Sequence, residues 1–251
     1  PYEVSELLMY KNMLYVEAGD YGKSLAHLIS NKDKVVDKLA WKESKAEALL
    51  KLGRLEEADA DYRELININD ENLGYFWKLV DVLVNKKLGQ DQSNGPIGDK
   101  QREALKYDTA RELQSDLASQ YSSATSIGRL ALDLYEGDRF RSELDKFVRK
   151  FLYRGIPSLF SVMKPLYTEP AKVEIIEKLF ESYLQAVKDH GDLPASIDPS
   201  ANMNGKQYKK DNAEDTRLML LTWIGFYLVQ HYDRVGKFTQ ALSLVDESIT
   251  I

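Results

Sequence analysis

Few residues in this chain are of a type that does covalent or metal chemistry, and their spacing limits what they can do. There is no Cys, which removes thiol nucleophiles, disulfides and cysteine-ligated zinc. The three histidines, His27, His190 and His231, are too far apart in sequence for a local metal motif, and no HExxH occurs. No GxSxG marks a nucleophile elbow. Gly22-Lys23-Ser24 imitates the end of a phosphate loop, but the glycine required five residues before Gly22 is Glu17, and the segment runs from helix to helix. Adjacent carboxylates such as Glu56 and Glu57 read as a solvated helix face. No catalytic residue and no metal site is expected.

Two basic groupings remain. Arg139, Lys146, Lys150 and Arg154 fall on one helical face, interrupted by Glu143, with Arg141 and Arg149 nearby. They read either as a solvated outer face or as a surface for phosphate such as ribosomal RNA. His231, Tyr232, Arg234 and Lys237, in QHYDRVGK, bring three potential cations and a phenol within seven residues. They could chelate a polyanion; the other reading packs Tyr232 between helices and sets Arg234 and Lys237 at a helix C-terminus. Lys206, Lys209 and Lys210 read as solvated. Tyr75, Phe76 and Trp77, like Trp41, Trp223, Phe226 and Tyr227, read as core, some of them lining a concave face.

Composition restricts the setting. A net charge of -6, with 29% charged and 43% hydrophobic residues, is an ordinary globular balance and argues against binding DNA over the whole surface. No run approaches the roughly 18 apolar residues of a membrane span. The opening PYEVSELLMY lacks the basic start of a secretory signal. A cytoplasmic protein without a membrane partner is expected. The start at Pro1, and an end, DESITI, inside a helical pattern, read as an internal piece of a longer polypeptide.

The elements that would position these residues are helices. No Pro separates Pro1 from Pro96 in a stretch rich in Leu, Lys, Glu and Ala. Gly19 and Gly53 lie 34 residues apart, the tetratricopeptide period. After each glycine come a large apolar residue (Tyr21, Leu55), a small one (Ser24, Ala58) and a bulky one (Leu28, Tyr62). Gly236, Phe238, Ala241 and Val245 repeat the spacing, and Tyr15, Leu49 and Tyr232 stand four residues before their glycines, where one helix should face the next. Further helices are expected over 72–88, 100–119, 127–135, 140–152, 157–167 and 170–188. The reading is all-α: one continuous right-handed solenoid of tetratricopeptide-like helix-turn-helix repeats over 1–251. Its clearest repeats are 2–38, 39–70 and 216–251, with loops at 89–100 and 189–214, the second expected to be mobile. The positions that hold Lys and Asn in a carboxylate-clamp array are Met9 and Met13, with Ser44 where a further Asn is wanted, which disfavours a chaperone adaptor of that kind.

YEVSELLMYKNMLYVEAGDYGKSLAHL and DKLAWKESKAEALLKLGRLEEADADYREL, with RGIPSLFSVMKPLY and LTWIGFYLVQHYDRVGKFTQAL further on, resemble the auxiliary subunit of the NatA N-terminal acetyltransferase. The likeness keeps its order along the chain and lapses in the two loops. RGIPSLF is its most specific run, since generic repeats of this class lack it. The resemblance implies a non-catalytic scaffold that binds and orients a catalytic acetyltransferase subunit and helps tether it to the ribosome. It implies no cofactor of the chain's own, acetyl-CoA being used by the partner. Inositol hexakisphosphate is implied as a structural ligand near the QHYDRVGK region. The alternative is a generic tetratricopeptide peptide-binding adaptor with no enzyme partner; a helical repeat binding RNA through the Arg139–Arg154 face is a third.

Overall fold

The computed structural model describes residues 2–90, 98–121, 124–196 and 212–249. By contact the chain forms two compact units, Pro1–Ile127 and Gly128–Ile251. Among the described residues there is no strand, and no helix is long and apolar enough to cross a membrane. The fold is an all-α array of tetratricopeptide-like helix-turn-helix repeats.

The first unit contains α1 (Tyr2–Glu17), α2 (Tyr21–Ser30), α3 (Lys38–Lys51), α4 (Leu55–Ile68), α5 (Leu73–Gln90) and α6 (Asp99–Gln120), each packed on the next. The expected repeat turns are present. At Gly53, φ is +72°; its N–H donates to Leu50 O at 3.1 Å and the Arg54 N–H to Leu49 O at 2.9 Å. This pair of bonds is a Schellman closure, which needs a residue in the left-handed region. Gly19 and Gly236 close their helices the same way, with Tyr15 and Tyr232 accepting the longer-range bond. The small residues then let the helices touch: Ser24 and Ala58 are fully buried, and Ala241 nearly so. Asp20 and Asp37 cap α2 and α3 by accepting from Lys23 N and Ala40 N. Glu71, in the turn before α5, accepts from the N–H groups of Thr125 and Ser126, both at 2.8 Å. It thereby caps α7 (Thr125–Leu134) across more than fifty residues of sequence.

The start of α7, with Thr125 and Ser126, lies in the first unit; the second holds the rest of α7 from Gly128, then α8 (Gly137–Arg154), α9 (Leu159–Met163), a 3-10 turn (Lys164–Thr168), α10 (Pro170–His190), α11 (Ala213–Arg234) and α12 (Phe238–Ile249). Here packing leaves strict succession, for α8 lies on α10 and α11. The expected helix over 157–167 is instead two short pieces. Pro165 has no N–H for the Ser161 carbonyl, so the α-helix stops and the chain tightens into the 3-10 turn. The core gathers Phe140, Leu144, Ile176, Phe180, Ile224 and Tyr227, with the Phe180 and Tyr227 rings stacked at 3.9 Å. The last repeat departs from expectation at its bulky positions. Phe238 is 61% exposed and Val245 36%, because no described helix lies over that face. Residues 91–97 and 197–211, which carry most of the two expected loops together with Lys206, Lys209, Lys210 and the expected mobility, lie outside the described residues.

Gly155 ends α8 with a fourth Schellman closure, Ile156 N–H to Phe151 O at 3.0 Å, and φ is +63°. A Cβ there would stand 2.7 Å from Trp223 Nε1, whereas one at Gly53 would meet nothing. Gly53→Ala should therefore lower stability by about 1 kcal/mol, from backbone strain alone. Gly155→Ala should lower it by about 3 kcal/mol, because the indole must also move. Urea unfolding followed by circular dichroism checks both values, and adding Trp223→Leu to Gly155→Ala should recover part of the larger loss.

Candidate functional site

The QHYDRVGK residues come together at the end of α11, on carboxylates supplied by α10. His231 is fully buried. Its Nε2 lies 2.9 Å from Glu177 Oε2 and its Nδ1 2.7 Å from the Tyr167 hydroxyl. An ionised carboxylate only accepts, so Nε2 carries the proton. In the tautomer with the proton on Nε2 alone, Nδ1 accepts from Tyr167 O–H, and Tyr167 in turn accepts from Tyr227, 3.1 Å away. Lys237 binds the other oxygen of Glu177, and Tyr232, also buried, donates to Glu181 at 2.8 Å. Burial pushes the Glu177 carboxyl up, but the bonds from His231 and Lys237 outweigh it, and its pKa ends below the ordinary carboxylate value. Burial is also the main reason the Tyr167 hydroxyl is raised to about 12.

Two of the four sequence candidates, His231 and Tyr232, are thus held inside the helix packing. Arg234 is exposed, with no ion-pair partner among the described residues, and Arg234 and Lys237 line a groove of about 700 Å³. Glu174, Glu177 and Glu181 line the same groove. Lys178, paired with Glu174 at 2.6 Å, is a third cation of the lining, and three cations against three carboxylates do not by themselves make a polyanion pocket.

The α8 cations divide. Arg139 and Lys146 both pair with Glu143, at 2.9 and 3.2 Å, and Arg139 also stacks over Tyr135. Lys150 is half-buried; burial and then the charge of Arg154 lower its pKa, which places those two cations within electrostatic reach of each other. Arg149, only 3% exposed, belongs to the interior. Its Nε donates to Asp145 at 2.7 Å and its Nη2 to the Pro194 carbonyl at 2.5 Å. Asp145 also accepts from Tyr183 and Ser196. This network fastens the residues that follow α10 onto α8. Its signal in the sequence is the Asp145–Arg149 spacing of one helical turn; the Tyr183 and Ser196 partners carry none.

In the first unit, Met9, Met13 and Ser44 line a groove of about 530 Å³ between α1, α3 and α5, so the register placed the clamp positions on an open face. Ser24, from the phosphate-loop look-alike, is fully buried and donates to Asn12 Oδ1 at 2.7 Å, where no phosphate reaches it. Of the aromatics read as core, Tyr75, Phe76 and Tyr227 are buried, while Phe226 is 49% exposed. Among the described residues no group of three His, Asp or Glu could hold a metal ion.

Over residues 2–251 the chain matches the family described as N-terminal acetyltransferase A, auxiliary subunit. The N-terminal acetyltransferase A complex auxiliary subunit NAA15 of Arabidopsis thaliana is 33% identical over 247 residues, which are 98% of this chain and 25% of that protein. N-alpha-acetyltransferase 16, NatA auxiliary subunit, of Mus musculus is 34% identical over 248 residues, 99% of this chain and 25% of that protein. A solved structure of Naa15/Naa10 bound to HypK-THB superposes with a TM-score of 0.68 at 26% identity, covering 98% of this chain and 31% of that one. The chain spans about a quarter of the length of the curated relatives it matches.

Arg149 and Arg141 differ sharply in setting despite their proximity in sequence. Arg149→Leu should lower stability by about 3 kcal/mol, because Asp145 is left buried without its cation. Arg141→Ala, at an exposed position, should stay within about 0.5 kcal/mol of the parent. Urea unfolding of the two variants measures the contrast.

Proposed function

The chain belongs to the auxiliary-subunit family of N-terminal acetyltransferase A, and we propose that it is a non-catalytic scaffold that binds and orients the catalytic subunit of an N-terminal acetyltransferase. The observation that carries this is the match to that family along residues 2–251. The solved neighbour, an assembly of Naa15 with Naa10 and HypK-THB, supports an acetyltransferase subunit as partner. In this reading acetyl transfer and acetyl-CoA belong to the partner. The scaffold supplies preorganisation: helices fixed by caps and buried polar networks present a surface whose ordering entropy is lost on folding and not on binding.

The proposal includes a cytoplasmic setting and tethering to the ribosome for co-translational work. Lys150 and Arg154, beside Arg139 and Lys146, support a phosphate-facing surface on α8 despite the single Glu143 between them. It also includes inositol hexakisphosphate as a structural ligand. In this reading Arg234 and Lys237, with Lys178 on the same groove, would meet it; Lys237 must leave Glu177 and Lys178 must leave Glu174, and further cations must come from elsewhere in the longer protein or its partner.

Affinity purification of the longer parent protein under gentle salt should recover an acetyltransferase subunit and ribosomes. Charge reversal at Arg139, Lys146 and Lys150 should lose the ribosomes and keep the enzyme subunit. Recovery of no acetyltransferase subunit would defeat the scaffold reading, and ribosome recovery unchanged by the reversal would retire the α8 surface. In the complete complex, Arg234→Glu with Lys237→Glu should weaken inositol hexakisphosphate binding by at least about tenfold, as expected for two charge-assisted contacts. Unchanged calorimetric affinity would remove both residues from the site.

A further inference from the structure

The groove between α1, α3 and α5 has a chemistry opposite to that of a carboxylate clamp. One wall is apolar and soft, formed by Met9, Met13 and Val16 of α1. Methionine packs against ligands of irregular shape with little loss. The facing wall carries Glu43 and Glu47, one helical turn apart on α3. Glu47 is engaged by Lys78 Nζ at 2.6 Å and by the Tyr62 hydroxyl at 3.1 Å. Glu43 accepts only from the Tyr75 hydroxyl and has no cationic partner among the described residues, though it is half-buried. The Tyr62 hydroxyl is held well above its ordinary pKa, first by burial and then by the charges of Glu47, Asp81 and Asp61. Lys78 also lines the groove and is spent on Glu47, so the lining keeps one net negative charge, that of Glu43.

The groove also offers a donor. Asn12 lines the groove while being only 3% exposed. Its Oδ1 is taken by Ser24 Oγ at 2.7 Å, and its Nδ2 has no partner among the described residues. That Nδ2 atom is itself within reach of solvent, so a backbone carbonyl of a ligand could take the place of water on it, in a cavity large enough for several side chains.

We propose that this groove holds a peptide segment of a partner protein in which an apolar side chain stands beside a Lys or Arg. The apolar side chain seats on Met9, Met13 and Val16. The cation completes Glu43, and a backbone carbonyl accepts from Asn12 Nδ2. A free terminal carboxylate, the ligand of a clamp, would meet Glu43 and Glu47 and be rejected. The proposal does not depend on the acetyltransferase reading, since the groove is formed by this chain alone.

The full chain can be titrated into two short fluorescein-labelled peptides with identical Leu positions, one bearing Lys and the other Glu at the remaining sites. Saturable binding by fluorescence anisotropy is expected for the Lys peptide and not for the Glu peptide. Glu43→Gln, which keeps a hydrogen-bond acceptor for Tyr75, should weaken the Lys peptide about fivefold, the worth of one partly screened ion pair. Met13→Glu, at a position already 43% exposed, should abolish the apolar seat without unfolding the helix. A control at the exposed Glu103 of α6, Glu103→Gln, should change affinity by less than about twofold, since a single exposed charge away from the groove contributes little. Equal binding of both peptides, an equal loss in the control, or no saturable binding at all would each overturn the proposal.

Discussion

A helix inside a stacked array has a neighbour on two sides, so it must be apolar on two faces and cannot show one clean stripe. This constraint shows most clearly at the ends, while α8 keeps a single stripe, Phe140, Leu144, Phe147, Phe151, because α10 and α11 both lie on that face. On α1, Ser5 and Asn12 are buried while Leu7, Tyr10 and Leu14 are exposed on another side. On α12, Ala241 and Leu244 are buried while Phe238, Leu242 and Val245 are exposed at helical spacing. In each helix one face is covered and a second apolar face stands ready for a neighbour. The middle helices have both faces covered, which is why Leu49, Leu65 and Leu79 are buried completely.

Where strict succession ends, buried polar groups set the arrangement. In the second unit the α8–α10–α11 packing includes two such networks, one centred on Glu177 and His231 and one on Asp145 and Arg149. A buried polar atom without a partner is destabilising by about 1–3 kcal/mol, so each network admits few alternative placements of its helices. Apolar side chains alone would tolerate more sliding. The same networks decide which cations remain on the surface, and so they separate Arg149 and His231 from the charges that a partner could use.

What was legible in the sequence was what is local. The turns at Gly19, Gly53 and Gly236 follow from a few consecutive residues, and their closures formed as read. Helix α10 was found because Pro170 starts it. The split at 157–167 was missed, although Pro165 announces a carbonyl without its donor. The basic groupings mixed two kinds of residue. Arg149 has a local signal in Asp145 four residues before it, but Glu177, the partner of His231, lies far back in the chain and carries no signal. Met9, Met13 and Ser44 were placed on the open face by register alone, whereas the leftover donor of Asn12 depends on which way Ser24 points.

The contact between Gly155 and the Trp223 indole joins the RGIPSLF run to LTWIGF, two separate stretches by which the family was first recognised. A Cβ at 155 and an indole at 223 cannot coexist without displacement. Position 155 therefore cannot gain a side chain while the ring stands. A side chain at 155 meets only the backbone strain of φ +63° once the ring at 223 has become smaller, and while the ring remains, the glycine is locked by both. Substitutions along this lineage should cross that pair in one order and not the other, so its history is directional even though each residue, seen by itself, only fills space.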